Sequence, residues 1–368
     1  MRQEYRICSR CIMDTTDPDI WFDAAGVCSN CHRYDELRRR KFIPAEERAR
    51  RLEQLLTAVR ADGKGKDYDC VIGVSGGVDS SYVAHLTRQW NLRPLAVHFD
   101  NGWNSELAVS NIEKALKKLG IDLSTFVVDW PEFRDLQLSF LKASTPDGEV
   151  PTDHAIMALL YQSAAKFGLK YILLGTNLAS ESVMPIKWGY GYADYKYIAG
   201  VHRKFGSVPL STYPHFTLPA LYGHLVLRRI QVIPILDYVE YRKEQALQLL
   251  QNDLGWVYYG GKHYESIYTR FYQAYVLPIK FHIDKRRAHY SSLVHSDQMS
   301  RAEALQLLDE PIYPPQKLVE DREYVIKKLG LESQFDALMS QPTRTFLDYP
   351  NHFRLLERVK RVRKLLKV

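Results

Sequence analysis

Between residues 67 and 255, short apolar runs alternate with longer amphipathic stretches of helical period. The runs Tyr68–Val74, Pro94–Phe99, Leu123–Val128, Tyr171–Leu174 and Gln231–Leu236 read as strands. The stretches near 80–90, 105–119, 131–143, 153–167 and 238–254 read as helices. Strands this continuously apolar need cover on both faces. The pattern therefore predicts an α/β fold, a doubly wound parallel five-stranded sheet with helices on either side. Ligands of such sheets sit beyond the carboxyl ends of the strands, where the strand order reverses.

Upstream, Pro44 opens a helix whose Leu52, Leu55, Leu56 and Val59 share one face, and Asp62-Gly63-Lys64-Gly65-Lys66 is a flexible polar boundary after it. Residues 181–229 interrupt the alternation with a loop-rich insertion dense in tyrosine, such as the run Trp188 to Tyr197. Those rings suit sugar or base stacking, and equally half-buried loop packing. Residues 256–368 read as mostly helical, ending in a basic amphipathic helix with Val359, Val362, Leu365 and Leu366 beside Arg358, Arg361, Arg363 and Lys364. The expected units are residues 1–40, a linker helix at 41–66, the α/β unit at 67–255, and a helical substrate or partner domain at 256–368.

Composition narrows the class. With 368 residues, 46% hydrophobic and 25% charged, the chain is long enough for full cores, and it is neither largely disordered nor collagen-like. Fifty basic against 43 acidic residues leave +7, which leans toward anionic ligands but suits a solvated basic surface as well. The cluster Arg38-Arg39-Arg40-Lys41 reads first as a solvated linker rather than a nucleic-acid contact. No apolar run is long enough to span a membrane, and the first residues lack the apolar core of a secretory signal, so a cytoplasmic location is expected.

Four of the five cysteines form two CxxC pairs, Cys8/Cys11 and Cys28/Cys31, separated by sixteen residues. Each knuckle aims two thiolates at one point, and two knuckles joined by a short hairpin complete a tetrahedral zinc site, a ribbon in which Gly26 supplies a turn. A closed four-thiolate site is scaffold rather than catalyst. Cys70, in the first apolar run, reads as a small core residue. No cysteine remains for a glutaminase nucleophile, and residue 2 is arginine, so ammonia used by this chain must come from another polypeptide.

Ser75-Gly76-Gly77-Val78-Asp79-Ser80-Ser81 follows the first strand and opens a helix. Two glycines allow close backbone approach, the helix start supplies N–H groups and a positive dipole end, and three hydroxyls add donors, which together make an anion cradle. Asp79 within it would repel phosphate unless a shared magnesium ion intervenes. The GK[ST] ending of a Walker A loop is absent. The segment instead matches SGGxDS, the signature of the PP-loop ATP pyrophosphatases, which resemble one another in gripping the pyrophosphate of ATP while the α-phosphorus is attacked. The resemblance implies adenosine near His98-Phe99-Asp100-Asn101-Gly102 and a turn over the nucleotide at Gly175-Thr176-Asn177. Glu181 would be a further magnesium ligand or base. For Asp100 and Asn177 a turn or cap role is equally open, and for Glu181 a structural role.

Read whole, the chain resembles the N-acetyl sugar amidotransferases of surface-polysaccharide biosynthesis. The likeness rests on Cys-Ser-Arg-Cys-Ile-Met-Asp-Thr-Thr at 8–16, Ile-Gly-Val-Ser-Gly-Gly-Val-Asp-Ser-Ser at 72–81 and Thr-Pro-Asp-Gly-Glu-Val-Pro-Thr-Asp-His at 145–154. It extends to Gly-Gly-Lys-His-Tyr-Glu-Ser at 260–266 and Phe-His-Ile-Asp-Lys-Arg-Arg-Ala-His at 281–289. It implies adenylation of an acetamido or carboxylate oxygen on a nucleotide-linked sugar, then displacement of AMP by ammonia, for lipopolysaccharide O-antigen or a related glycan. The ammonia is implied to come from a separate glutaminase paired with a cyclase-like barrel.

Within that chemistry Lys285 and Arg286 are candidate phosphate clamps, with a basic helix face as their rival. His263 and Glu265 are candidates to orient ammonia or substrate, a structural role being as open. Asp153 and His154 suggest helix capping first. Lys187, Arg203 and Lys204 are candidates to meet a sugar diphosphate. The competing readings are a tRNA-modifying, thiolase-like PP-loop enzyme, whose RNA binding would weaken steeply with salt, and a nucleotide-sensing module that releases no pyrophosphate.

Overall fold

The computed structural model describes residues 4–261 and 264–358. Five parallel strands, β1 (Cys70–Gly73), β2 (Pro94–Asp100), β3 (Asp122–Val127), β4 (Tyr171–Leu174) and β5 (Gln231–Pro234), form one sheet in the order β3-β2-β1-β4-β5. β1 pairs Ile72 with Ala96 on one side and with Leu173 on the other. The chain thus lays strands to one side of β1 and then to the other, and the order reverses between β1 and β4.

Successive residues of β1 take opposite faces, as the two-residue period requires. Cys70 and Ile72 pack with Leu56, Val59, Val83, Ile112 and Leu250 from the linker helix Ala45–Gly63 and the helices Val78–Gln89, Glu106–Leu119 and Lys243–Leu254. Val71 packs with Phe133, Leu136, Phe140, Met157 and Leu160 from the helices Trp130–Ala143 and Val150–Lys166 on the other face. Each fully buried aliphatic side chain here contributes about 1.5–3 kcal/mol relative to exposure. β3 is an edge strand, and its Leu123 and Val127 are exposed.

The doubly wound five-stranded architecture agrees with the apolar pattern, with differences at the ends. β1 begins at Cys70 rather than Tyr68, and β5 stops at Pro234, where a 3₁₀ turn, Ile235–Tyr238, takes over. The helix expected from 153 starts at Val150 with proline in its first turn, so Asp153 and His154 lie inside it and are not caps. The loop-rich insertion contains the helix Tyr195–Phe205 and a helical stretch built of Leu218–Tyr222 and Gly223–Leu227. Two buried carboxylates of helix Trp130–Ala143 moor it. Asp135 accepts from the Ser207 and Val208 amides at 2.8 and 3.1 Å, and Glu132 from the Tyr213 amide at 2.6 Å.

Among the described residues the N-terminal segment forms no strand. Single antiparallel bridges, Ile7–Asp14 and Phe22–Cys28, hold the knuckles, and the second CxxC pair runs into the helix Ser29–Lys41. Residues 264–358 are mostly helical. A stretch made of Ile267–Phe271, the π-turn Tyr272–Val276 and Leu277–Phe281 is followed by Lys285–His295, Arg301–Asp309, Pro315–Leu329 and Phe335–Ser340. The bidentate pair Arg270–Asp321, at 2.6 and 2.7 Å, ties the first of these to helix Pro315–Leu329. The basic C-terminal helix expected around Val359 to Leu366 lies outside the described residues. No helix among the described residues is long and apolar enough to cross a membrane.

Candidate active site

The turn after β1 leads directly into helix Val78–Gln89, with Gly77 at its N-cap position. Gly76 has φ +81°, and a Cβ there would lie 2.6 Å from the Ala108 carbonyl oxygen, so only glycine fits. The Gly76 carbonyl accepts from the Trp256 indole at 3.1 Å, which steadies the loop from the far side. Ser75 and Ser80 face one another across it: the Ser75 amide donates to Ser80 Oγ at 3.2 Å, and the Gly77 amide donates to Ser75 Oγ at 3.3 Å. Ser81 is buried behind the turn.

This loop floors a cavity of about 580 Å³ at the point where strand order reverses. Ser75, Gly77, Val78, Asp79, Ser80, Asn101, Gly175, Thr176, Glu181, Glu265 and Lys285 all line it. Its inner wall is apolar, made by Phe99, Met157, Leu160 and Val183. Gly175 brings the end of β4 onto the loop, since a Cβ on it would lie 2.9 Å from the backbone carbonyl carbon of Asp79. Asp100, Asn177, Gly76 and Ser81 are not in the lining. Asp100 closes a turn by accepting from the Gly102 amide at 2.9 Å, and Asn177 caps the helix Leu178–Glu181 by accepting from the Ser180 amide at 2.8 Å.

Three carboxylates gather around the loop. Tyr241 donates to Asp79, and burial together with the charges of Asp79 and Glu181 pushes its phenol far up. Tyr259 is likewise pushed up by burial and by Glu265 and Asp79. Asp79 and Glu181 both act on Tyr241, and Asp79 and Glu265 both act on Tyr259, so the three carboxylates lie near the loop, but among the described residues only the four cysteines bring three or more ligand atoms together closely enough to share one ion.

Opposite them stands Lys285, 3.3 Å from Glu149, which also accepts from Gln273 at 2.9 Å. Gln273 sits in the π-turn, a helix irregularity common where a side chain must be re-aimed. Nearby Asp147 is pushed up by burial to about 6, the Tyr190 amide and Lys285 pulling the other way.

Arg286 lines an adjoining second cavity rather than this one. Its guanidinium pairs with Asp284 at 2.8 Å and donates to the carbonyls of Leu307, Leu308 and Glu310, so it joins helix Lys285–His295 to the end of helix Arg301–Asp309. His263 lies outside the described residues. Lys187 pairs with Asp19 at 2.7 Å, and Lys204 lies over Phe205 and Tyr349. Within the basic cluster, Arg40 pairs with Glu36 and Arg39 donates to the Asp35 carbonyl.

Sequence reasoning missed Glu149, Gln273, Lys243, His289 and Tyr241. Glu149 and His289 stand inside stretches that carried the family resemblance, but nothing local marks the other three.

A second cavity, about 750 Å³, adjoins the first. Asp79, Lys243, Tyr258, Tyr259, Gln273, Lys285 and His289 line both. Most of its remaining wall comes from residues 264–317, including Tyr264, Tyr290 and Tyr313, with Ser180, Gly260 and Gly261 completing it.

The four cysteines are buried, with Sγ–Sγ distances of 3.6 Å for Cys8–Cys31 and Cys11–Cys28 and 3.7 Å for Cys28–Cys31. Four sulfurs placed about 2.3 Å from a central zinc in a tetrahedron would stand about 3.8 Å apart, so the donor set fits that ion. Amides of Cys11, Met13 and Cys28 point at the sulfurs. Outside this shell, Arg301 donates to the carbonyls of Cys8 and Cys11, Arg287 pairs with Asp14 at 3.0 Å, and His295 stacks on Tyr34 and reaches Cys31 Sγ at 3.2 Å. The cluster is thereby packed on helix Lys285–His295, whose other end lines the cavities. Cys70 is buried in β1, and burial pushes its thiol far up.

Two family models match the chain. Residues 50–208 match NAD synthase, and residues 265–363 match "LPS biosynthesis protein WbpG-like, C-terminal domain". The protein joins a PP-loop ATP pyrophosphatase domain to a domain of lipopolysaccharide-biosynthesis type. The two matches together support the likeness to an N-acetyl sugar amidotransferase-like PP-loop family.

Among solved structures it is similar to the NH3-dependent NAD synthetase of Campylobacter jejuni, at 18% identity over 56% of this chain and 84% of that one, with a TM-score of 0.30. It is also similar to NMN synthetase from Francisella tularensis, at 16% identity over 57% and 94%, with a TM-score of 0.30. No curated protein matches the chain.

Proposed function

We propose that this protein is an ATP-dependent amidotransferase acting on a nucleotide-linked sugar. The acceptor oxygen, from an acetamido group or a carboxylate, attacks the α-phosphorus of ATP. The bond from that phosphorus to the bridging oxygen of the β-phosphate breaks, and pyrophosphate leaves. Ammonia then adds to the activated carbon, AMP departs with the former acceptor oxygen, and nitrogen loses a proton. The product is an acetamidino group or an amide.

The observation that carries this reading is one chamber with two kinds of wall. Its floor is the glycine loop of the PP-loop domain, and its opposite side is made by residues of the lipopolysaccharide-type domain. In the reading, the amides of Gly77 and its neighbours and the Ser75 and Ser80 hydroxyls hold the pyrophosphate, where preorganised donors are worth most. Phe99, Met157 and Leu160 receive the adenine, with Asn101 and Thr176 at its edges. Lys285 and Lys243 neutralise charge that develops on the phosphates, while Glu149 and Gln273 hold Lys285 in place. Asp79, with Glu181 near it, would hold a magnesium ion that the phosphates themselves help to ligate, and that ion would supply positive charge to the phosphate oxygens when bound. Cys8, Cys11, Cys28 and Cys31 would hold a structural zinc.

Ammonia comes from a separate glutaminase with its cyclase-like barrel. In support, four of the five cysteines are committed to the cluster and the fifth is buried, so no thiol is placed to attack glutamine. The test is incubation with ATP, magnesium, ammonium chloride and a panel of UDP-linked 2-acetamido sugars and uronic acids. Phosphorus NMR should find AMP and pyrophosphate, and mass spectrometry an oxygen exchanged for NH. Accumulation of ADP, or turnover that needs RNA, would overturn the reading.

A further inference from the structure

We infer that the second cavity is the acceptor site, a tyrosine-walled chamber that takes the nucleoside-diphosphate-linked sugar while ATP occupies the first. The inference rests on the amidotransferase reading and adds to it where the acceptor sits and which residues select it.

The two cavities divide the work by their linings. The hydroxyls and glycines of the phosphate loop, apart from the Asp79 end, face only the first, as do the apolar Phe99, Met157 and Leu160 that suit an adenine ring. The seam between them runs along Asp79, Lys243, Gln273, Lys285 and His289. A molecule in the second cavity therefore meets the triphosphate end of a nucleotide in the first, not its base. That is where an acceptor oxygen must arrive to reach the α-phosphorus. A volume of about 750 Å³ lies within the roughly 300–1,000 Å³ usual for small-molecule sites.

The chemistry of the second wall points to the ligand class. Tyr258, Tyr259, Tyr264, Tyr290 and Tyr313 offer ring faces for a base or for sugar C–H groups, with phenol tips for hydroxyls. The wall is rigid. Tyr264 packs edge-on against Tyr313 with ring centres 5.0 Å apart and donates to the Ile312 carbonyl, while Arg270, locked to Asp321, lies over the Tyr313 ring. Lys317, which is exposed, and Lys285, shared with the first cavity, both line the chamber and put cationic side chains within reach of a ligand that carries a diphosphate. An inorganic anion such as departing pyrophosphate would make no use of five aromatic rings. Most of this lining, from Arg270 to Lys317, falls in the segment that matches the lipopolysaccharide-type domain, with Tyr258, Tyr259 and Tyr264 just before it, while the phosphate loop falls in the segment that matches NAD synthase.

The test uses the full-length enzyme and an acceptor found by the UDP-sugar panel. Tyr290→Ala and Lys317→Glu, whose side chains line only the second cavity, should each raise the acceptor KM about tenfold or more. The Kd for a non-hydrolysable ATP analogue, measured by calorimetry, should change less than twofold. UDP alone should inhibit competitively against the acceptor and not against ATP. Wild-type turnover with an acceptor KM unmoved by both substitutions, or UDP competing with ATP, overturns the assignment of the chamber alone. Failure of the wild type to turn over any member of the panel overturns the amidotransferase reading, and this assignment with it.

Discussion

The phenol of Tyr241 donates a hydrogen bond to the carboxylate of Asp79, linking the segment after β5 to the first turn of the helix that follows the glycine loop. The two residues stand 162 positions apart in sequence. Tyr241 thereby fixes the direction in which Asp79 presents its other lone pairs to the cavity.

Asp79→Ala should abolish pyrophosphate release while leaving the thermal transition and metal content unchanged. Tyr241→Phe should keep the carboxylate but free its rotamer. A hydrogen bond to a charged group is worth about 1.5–3 kcal/mol, so turnover should fall about 10- to 100-fold. Wild-type turnover in the alanine variant would remove Asp79 from the mechanism.

Gly76→Ala should weaken both folding and nucleotide binding. The left-handed backbone alone costs a side chain about 1–2 kcal/mol, and the new methyl would press on the Ala108 carbonyl. Gly175→Ala acts on the other side of the crevice by pushing against the backbone of Asp79. Its ATP Kd should rise, and because the clash is with backbone the unfolding midpoint should fall as well, as read by calorimetry and denaturant titration. Unaltered ATP binding in both variants would contradict the placement of the nucleotide.

Elemental analysis should find one zinc per chain, and Cys28→Ser should lose it. Limited proteolysis of that variant should then cut within residues 4–41, because the four sulfurs are the buried centre of this segment. Metal-free wild-type protein that resists proteolysis equally well would show that the cysteines suffice without an ion.

His154 predicts an acid limit to stability. It is fully buried in helix Val150–Lys166, its Nδ1 bonded to the Tyr192 carbonyl at 2.6 Å and its Nε2 accepting from the Phe216 amide at 3.2 Å. Burial lowers it from its ordinary 6.5 to about 4, with His215 acting in the same direction and the Tyr192 carbonyl and Asp194 against it. Above pH 6.5 the ring is neutral folded or unfolded, and its contribution is fully present. As pH falls toward 4 the unfolded chain takes up the proton first, so about 3 kcal/mol is lost. Denaturant titrations at pH 7 and 4.5 should show this loss in the wild type and a smaller one in His154→Gln. Equal losses would assign the acid sensitivity elsewhere.

Much of the fold could be read from the chain because each strand is a short apolar run that both faces of the sheet must bury. Ile72 and Val71, adjacent in sequence, go to opposite cores, and no local signal competes with that alternation. The loop at 75–81 was legible because its glycines and hydroxyls act through nearby backbone. Glu149 was not, since its partners Gln273 and Lys285 are 124 and 136 residues away and come together only when the helical region docks. Arg286 shows another limit: a basic residue in a promising motif lines the second cavity and also reaches three carbonyls of a distant helix end, a contact that nothing local announces. The position of helix starts depended on a single choice, Pro151 in the first turn of Val150–Lys166, which drew Asp153 and His154 inside.

Helix Lys285–His295 works as a lever with its two ends in different compartments of the molecule. His295 and Tyr34 rest against the sulfur cluster, and Lys285 reaches Glu149 across the chamber. If the sulfurs hold the proposed zinc, its removal should therefore loosen the far end of this helix and with it the hold of Glu149 on Lys285.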